Sequence, residues 1–171
     1  MSETALLDPP TRDCALCPRL AAFRGAQRTT HPDWFNAPVP SFGPDSAVLL
    51  IVGLAPGLRG ANRTGRPFTG DYAGDLLYRS LLKFGLAAGD YAAHPQDGLI
   101  LQRTRIANAV LAAKGLRRPT YPFGHGATHE LPDGTVLADS YHCSRLNTNT
   151  GRLTPAMFEA VIAGLTQHLA G

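Results

Sequence analysis

Apolar positions in this chain fall into a few periodic runs separated by glycine- and proline-rich stretches. Val48 to Val52 is an unbroken apolar run, rich in β-branched residues and bounded upstream by Pro44 and Asp45, which predicts a buried strand of a parallel sheet. Between Gly74 and Phe84, residues Leu76, Leu77, Leu81 and Leu82 recur at helical spacing and predict an amphipathic helix, ended by Gly85 and Gly89. Met157, Phe158, Val161, Ile162, Leu165 and Leu169 do the same near the C-terminus, with Thr154 as N-cap and Pro155 at the first helical position. Leu99 to Val110 reads as extended with a bend near Gln102 and Arg103, and Ala107 to Val110 ends a second parallel strand. Val136 to Tyr141 reads as a third strand, delivering His142 to a loop at the sheet edge. His31 to Pro44, with Trp34, Phe35 and Phe42, reads as an aromatic connector packed over one end of the sheet, Trp34 being core. These elements predict one α/β domain over residues 1–171, a parallel sheet with helices on both faces, and residues 1–11 as a frayed tail.

The strand at Val48 to Val52 runs into a loop that no helix could accommodate, with glycines at 53, 57, 60, 65 and 70 and prolines at 56 and 67. Open α/β sheets bind ligands at the carboxyl ends of their strands. Arg59, Asn62, Arg63, Thr64 and Arg66 supply cationic and amide donors, of which the arginines suit phosphate, and Phe68 and Asp71 close the segment. A P-loop is excluded because no Gly-Lys-Ser/Thr is present, and the spacing does not match a G-x-G-x-x-G dinucleotide fingerprint.

Composition narrows the class. A chain of 171 residues, 44% hydrophobic, supports one globular core, and its 18 glycines and 14 prolines make it loop-rich without low complexity. No apolar run reaches membrane-spanning length and no signal-peptide pattern opens the chain, so a cytoplasmic protein that does not enter the membrane is expected. The net charge is +3, and among 16 basic residues only Lys83 and Lys114 are lysines. Arginine preference suits phosphate recognition and equally follows from GC-rich coding.

The two most specific stretches are GLAPGLRGANRTGRPFTGD, residues 53–71, and SYHCSRLNTNTGRLTP, residues 140–155. They resemble the first and second active-site motifs of the B-type, broad-specificity iron–sulfur branch of the uracil-DNA glycosylase superfamily. Weaker likeness runs through FNAPVPSFGP (35–44), DGLILQRTRIANAV (97–110) and PFGHGA (122–127). The resemblance implies removal of uracil, and of other deaminated bases, from DNA by hydrolysis without a lyase step. It implies Asp71 as the carboxylate beside the sugar, where an N-cap role is the structural alternative, and His142 as donor to the departing base. Phe68 would stack on the flipped base or belong to the core; Leu54 and Ala55 would line the base pocket; Asn108 would read a base edge or cap a strand. Ser144, Arg145, Leu146 and Asn147 would enter the minor groove, and Arg63 and Arg152 would contact phosphate or remain solvated surface. His125 and His129 read as polar surface.

The same resemblance implies a [4Fe–4S] cluster, which takes four thiolates. Cys14 and Cys17, followed by Pro18-Arg19-Leu20, match the first ligand pair; a free thiol pair or a weak metal site is the alternative reading. Cys143 aligns with no cluster ligand, and after Val110 an internal segment bearing the other two cysteines and a further core strand is missing. The expected partner is DNA, bound by a monomer, with a degenerate or truncated homologue that binds DNA without efficient catalysis as the alternative.

Overall fold

The computed structural model describes residues 10–108 and 121–170. Eleven elements follow in order: α1 Pro18–Thr30, β1 Leu49–Gly53, α2 Ala61–Thr64, α3 Tyr72–Lys83, β2 Ala87–Ala88, β3 Ile100–Leu101, β4 Thr104–Asn108, β5 Thr128–Glu130, β6 Val136–Ala138, α4 Arg145–Asn149 and α5 Pro155–His168.

The expected parallel pairing is present. β1 and β4 run parallel in register from Leu49 opposite Thr104 to Gly53 opposite Asn108, so both strands end at one edge. The aromatic connector reaches the sheet through Phe42, which exchanges both backbone hydrogen bonds with Ile106, at 2.9 and 2.7 Å. Gly43 is required beside it: at φ +120° a side chain there would meet the Thr104 carbonyl. Trp34, half-buried, stacks on His31 with ring centroids 3.8 Å apart.

The core lies between this sheet and helices α3 and α5. Leu77, Tyr78 and Leu81 of α3 pack with Leu49, Ile106, Leu153, Phe158 and Ile162. Thr154 caps α5 as its sequence promised, accepting the Met157 amide at 3.2 Å, and Pro155 takes the first turn, where its missing N–H is harmless. Lys83 and Glu159 join the two helices by an ion pair of 2.5 Å. On the other face of β1, Val48, Leu50, Val52 and Leu54 form an exposed apolar row, and among the described residues β1 pairs with β4 alone. Helix α1 buries none of its residues and is tied down by Arg28, whose Nε donates to the Asn36 carbonyl at 3.0 Å.

The extended run from Leu99 bends where expected: Arg103, at φ +53°, divides it into β3, antiparallel to β2, and β4. Two expectations need correction. The apolar run at Val48 is not a fully buried strand: Leu49 and Ile51 meet the core while Val48, Leu50 and Val52 are exposed. Val136 to Tyr141 is not a third parallel strand, because β6 folds back antiparallel on β5 across the turn Pro132-Asp133-Gly134. A short hairpin closes with far less loop entropy than pairing to a distant strand, and Pro-Asp-Gly is a turn signal that predicts it. The predicted ends of the second strand at Ala109 and Val110, and most of the N-terminal tail, lie outside the described residues.

Thr154→Ala should lower stability by about 1 kcal/mol through loss of the cap, read as a drop in the urea midpoint with an unchanged slope.

Candidate active site at the end of the parallel sheet

Past Gly53 the chain enters the glycine-rich loop, where Leu54 is 85% exposed and Ala55 is also exposed. The loop is held from within. The Asn62 side-chain amide donates to Asn36 Oδ1 at 2.9 Å, both residues being buried, and Thr64 Oγ1 donates towards the carbonyls of Gly60 and Thr69, each at 3.1 Å. Gly65 turns left-handed at φ +78° to end α2. Asn62, Thr64 and Arg66, read from sequence as donors open to a ligand, are therefore spent on internal contacts; Arg59 and Arg63 are exposed, and Arg63 Nη2 donates to the Gly70 carbonyl at 3.1 Å.

The Arg66 side chain is 5% exposed and that of Asp97 1%. Both guanidinium Nη atoms donate to the two carboxylate oxygens at 2.8 Å, a bidentate fork, and Arg66 Nε donates to Thr69 Oγ1 at 2.7 Å. Asp97 also accepts the Ala92 and Leu99 amides at 2.9 and 3.1 Å. The Arg66 hydrogen bonds, against an opposing burial effect, hold the Asp97 carboxyl well below the usual carboxylate range. The guanidinium carbon lies over the rings of Phe42, Tyr78 and Tyr91 at 5.2, 5.4 and 5.9 Å. Burial pushes the Tyr78 phenol up to about 12, and its hydroxyl donates to the Pro67 carbonyl at 2.6 Å.

Asp71 occupies the N-cap position of α3, yet its side chain makes no capping hydrogen bond. One of its oxygens, Oδ1, is buried without a hydrogen-bond partner. The other, Oδ2, presses against glycine backbone: a Cβ at Gly57 would stand 2.9 Å from it and one at Gly60 2.1 Å. Capping is the ordinary reason for aspartate at this position, and here the carboxylate has been turned away from it towards the loop.

The second motif lies against the first. Phe68 and His142 stack with ring centroids 5.7 Å apart at 28°, Cys143 Sγ donates to the Ala73 carbonyl at 3.3 Å, and Arg145 lies 5.1 Å over the Tyr72 ring. His142 is exposed and its carbonyl accepts the Asn147 side-chain amide at 2.8 Å. Ser144 caps the short helix α4 through the Asn147 amide, which projects Leu146, 73% exposed, from the loop. Arg152 lies 4.6 Å from the Tyr141 ring centroid, whose ring also stacks on His125 at 5.1 Å. His125 Nδ1 accepts the Tyr141 amide at 3.2 Å, so this histidine, with half-buried His129 beside Asp139, shapes the approach to the motif instead of decorating the surface. Asn108 ends β4 opposite Gly53 at the same sheet edge. A groove of about 450 Å³ between the β5–β6 hairpin and α5, lined by His129, Glu130, Val161, Leu165 and His168, shares no residue with this site.

Cys14 and Cys17 stand apart, half-exposed and exposed at the start of α1, which Pro18 opens. A four-thiolate cluster does not fit the donor set. The whole chain has three cysteines, and burial pushes the third, Cys143, up to about 12 while its thiol donates to a backbone carbonyl. Among the described residues no group of three His, Cys, Asp or Glu side chains converges on one point, and no helix is long and apolar enough to cross a membrane.

Residues 40–166 match the family model of the uracil DNA glycosylase superfamily. A type-5 uracil-DNA glycosylase of Thermus thermophilus is 39% identical over 208 aligned positions, spanning 92% of this chain and 94% of the relative. Type-5 uracil-DNA glycosylases of Mycobacterium tuberculosis and Pyrobaculum aerophilum are 33% and 31% identical, spanning 86% and 83% of this chain and 75% and 83% of themselves. The first alignment is longer than the 171-residue chain by 37 positions, so that relative carries residues with no counterpart here.

Asp97→Asn should destabilise the fold by about 3–5 kcal/mol, since it leaves a buried guanidinium short of its counter-charge. The lowered Asp97 pKa also fixes the sign of the acid response. The stability it contributes is fully present above the unfolded carboxylate pKa of about 4 and is lost as pH falls towards the lower folded value. Urea titrations from pH 7 downwards should show that limb in the parent and a shallower one in Asp97→Asn.

Proposed function

The chain belongs to the uracil DNA glycosylase superfamily, and from that membership we propose that it is a hydrolase that removes uracil, and other deaminated bases, from DNA as the opening step of base excision repair. The observation that carries the assignment to this site is the Asp71 carboxylate, with a buried oxygen lacking any protein partner, at a helix start that it does not cap. A buried carboxylate oxygen without a donor is costly to maintain, and a bound water or a developing cation would satisfy it.

The chemistry assigns a task to each neighbour. The target nucleotide leaves the duplex stack and enters the site, Phe68 stacking on one face of the base. Leu54 and Ala55, both exposed, border the base, and Asn108, at the strand end opposite Gly53, is the residue assigned to read its edge. As the C1′–N bond lengthens, its electron pair passes to the base and the sugar takes on oxocarbenium character. Asp71 stabilises that cation and directs a water, whose oxygen bonds to C1′ as its proton passes to the Asp71 carboxylate and on to solvent, the base leaving as its anion. His142, its ring stacked against that of Phe68, donates to the base oxygen on which negative charge collects. Leu146, on its Ser144-capped turn with Arg145 and Asn147, fills the vacated place in the stack, and Arg63 and Arg152 neutralise flanking phosphates. Nothing in this sequence of events passes through a metal. Cys14 and Cys17 supply two of the four thiolates that a [4Fe–4S] cluster takes, and they are assigned no part in the reaction.

A second reading, DNA binding without efficient catalysis, has one specific observation behind it: the aligned positions of the Thermus thermophilus relative that this chain lacks. The two readings separate on a uracil-containing oligonucleotide. Alkali-labile cleavage at the uracil supports excision; a salt-sensitive mobility shift with no cleavage supports binding alone.

If the chain excises uracil, Asp71→Asn and His142→Ala should each lower the single-turnover rate by about a hundredfold or more, with unchanged circular dichroism. Gly60→Ala should do the same by a different route, because its methyl would displace the carboxylate from where Oδ2 now sits. Parent-like rates in all three would remove these residues from the reaction.

A further inference from the structure

Phe68 is in a conformation that its own backbone resists. Its φ is +50°, a left-handed value that non-glycine residues rarely adopt and that persists only where surrounding structure enforces it. The enforcement is visible on both sides. Before it, the Pro67 carbonyl accepts the Tyr78 hydroxyl and the Thr69 hydroxyl, at 2.6 and 3.1 Å. After it, Thr69 Oγ1 accepts Arg66 Nε at 2.7 Å, and the Phe68 carbonyl itself accepts the Tyr91 hydroxyl at 3.4 Å. The same carbonyl packs so closely on α3 that a Cβ at Gly74 would fall 1.8 Å from it, and the Tyr91 hydroxyl would be 2.3 Å from that atom. Arg66, Pro67 and Thr69 are all buried. Phe68 alone of this tetrapeptide reaches the surface, with its ring on His142.

The partner that closes the clamp comes from far along the chain. Asp97 stands 31 residues beyond Arg66, between β2 and β3, and receives its two backbone donors there. An apolar residue at position 66 could fill the same space, but only a planar fork fixes direction: two bonds to Asp97 and a third to Thr69 leave the guanidinium one orientation. That orientation sets where Thr69 lies, and Thr69 and Pro67 bracket the strained residue.

We propose that Arg66, with Asp97 and Tyr91, is a positioning group for Phe68: the buried clamp holds the left-handed backbone that aims the ring at His142, and so sets the stacking platform of the base pocket. This rests on the reading of the site as a uracil-excising one and deepens it. None of the three touches the base; they act through Phe68.

The test is a double-mutant cycle in single-turnover uracil excision: the full chain, Arg66→Lys, Phe68→Ala, and both together, with Tyr91→Phe as a second entry to the clamp. Lysine keeps the charge and loses the fork. Arg66→Lys should slow excision roughly ten- to a hundredfold and raise KM for the uracil strand. In the Phe68→Ala background the same change should cost nothing further, because the group it positions is gone. An equal loss with and without the Phe68 ring would mark a general effect on folding and overturn the proposal, as would a parent-like rate in Arg66→Lys. Where Arg66→Lys fails to fold by circular dichroism, Tyr91→Phe is read in the same cycle by the same criteria.

A second measurement needs no activity. Nuclear Overhauser contacts between the Phe68 ring and the His142 imidazole should be present in the parent chain and lost in Arg66→Lys or Tyr91→Phe, while contacts between Leu81 and the core persist. If the parent leaves uracil in place, the functional reading falls and these contacts still decide the clamp: their retention in the variants overturns it.

Discussion

A guanidinium at 5% exposure, paired through two 2.8 Å bonds to a carboxylate at 1% exposure, is the constraint on which the rest of this molecule turns. Taking both charges out of water costs several kcal/mol per ion, and an apolar pair of equal volume could stabilise the fold as well. What the ion pair supplies is direction. It joins the glycine-rich loop to the segment before β3, stacks under three aromatic rings, and orients Thr69 within the only stretch where the backbone is forced left-handed at a phenylalanine. Against a total stability of about 5–15 kcal/mol for a domain of this size, breaking it removes a large share of the margin, so loop geometry and fold stability are one variable here.

The parallel pair β1–β4 provides the platform for that loop. Five rungs in register bring Gly53 and Asn108 to one edge, so the glycine-rich loop and the end of the second strand leave the sheet side by side. Burial decides what the loop then does. Its polar residues divide into an inward set, Asn62, Thr64 and Arg66, that fixes shape, and an exposed pair, Arg59 and Arg63, of which Arg63 also holds the Gly70 carbonyl. Asp71 belongs to neither set. It sits on the backbone of Gly57 and Gly60, where any side chain would have displaced it, and those two glycines are there as much for the carboxylate as for the turn.

Much of this is legible from the residues in order. The run Val48 to Val52, the helical spacing after Gly74, and Thr154-Pro155 are local signals, each giving its element within a residue or two, although the strand is buried on one face only. The two motifs meet at the stacked rings of Phe68 and His142, a contact for which the family resemblance, and no local pattern, gives the expectation. What fails to show is long-range. Five polar residues in one loop look alike, and Arg66 is set apart from Arg59 and Arg63 by Asp97, which sequence places beyond a helix and a strand. The β5–β6 hairpin was open to prediction from Pro132-Asp133-Gly134; a strand-like run beside a known second motif reads more naturally as part of the main sheet, and local closure wins. His125 gains its role through a backbone amide 16 residues away, which no spacing rule anticipates.

The open face of β1 has a consequence for handling the protein at all. Val48 to Leu54 is uncharged, free of proline and rich in β-formers, the composition of segments that stack into cross-β ribbons, and among the described residues its outer edge has no partner strand. A net charge of +3 is weak protection against such self-association. The strand that leads into the glycine-rich loop thus also presents an apolar, unpaired edge of the kind from which edge-to-edge association starts.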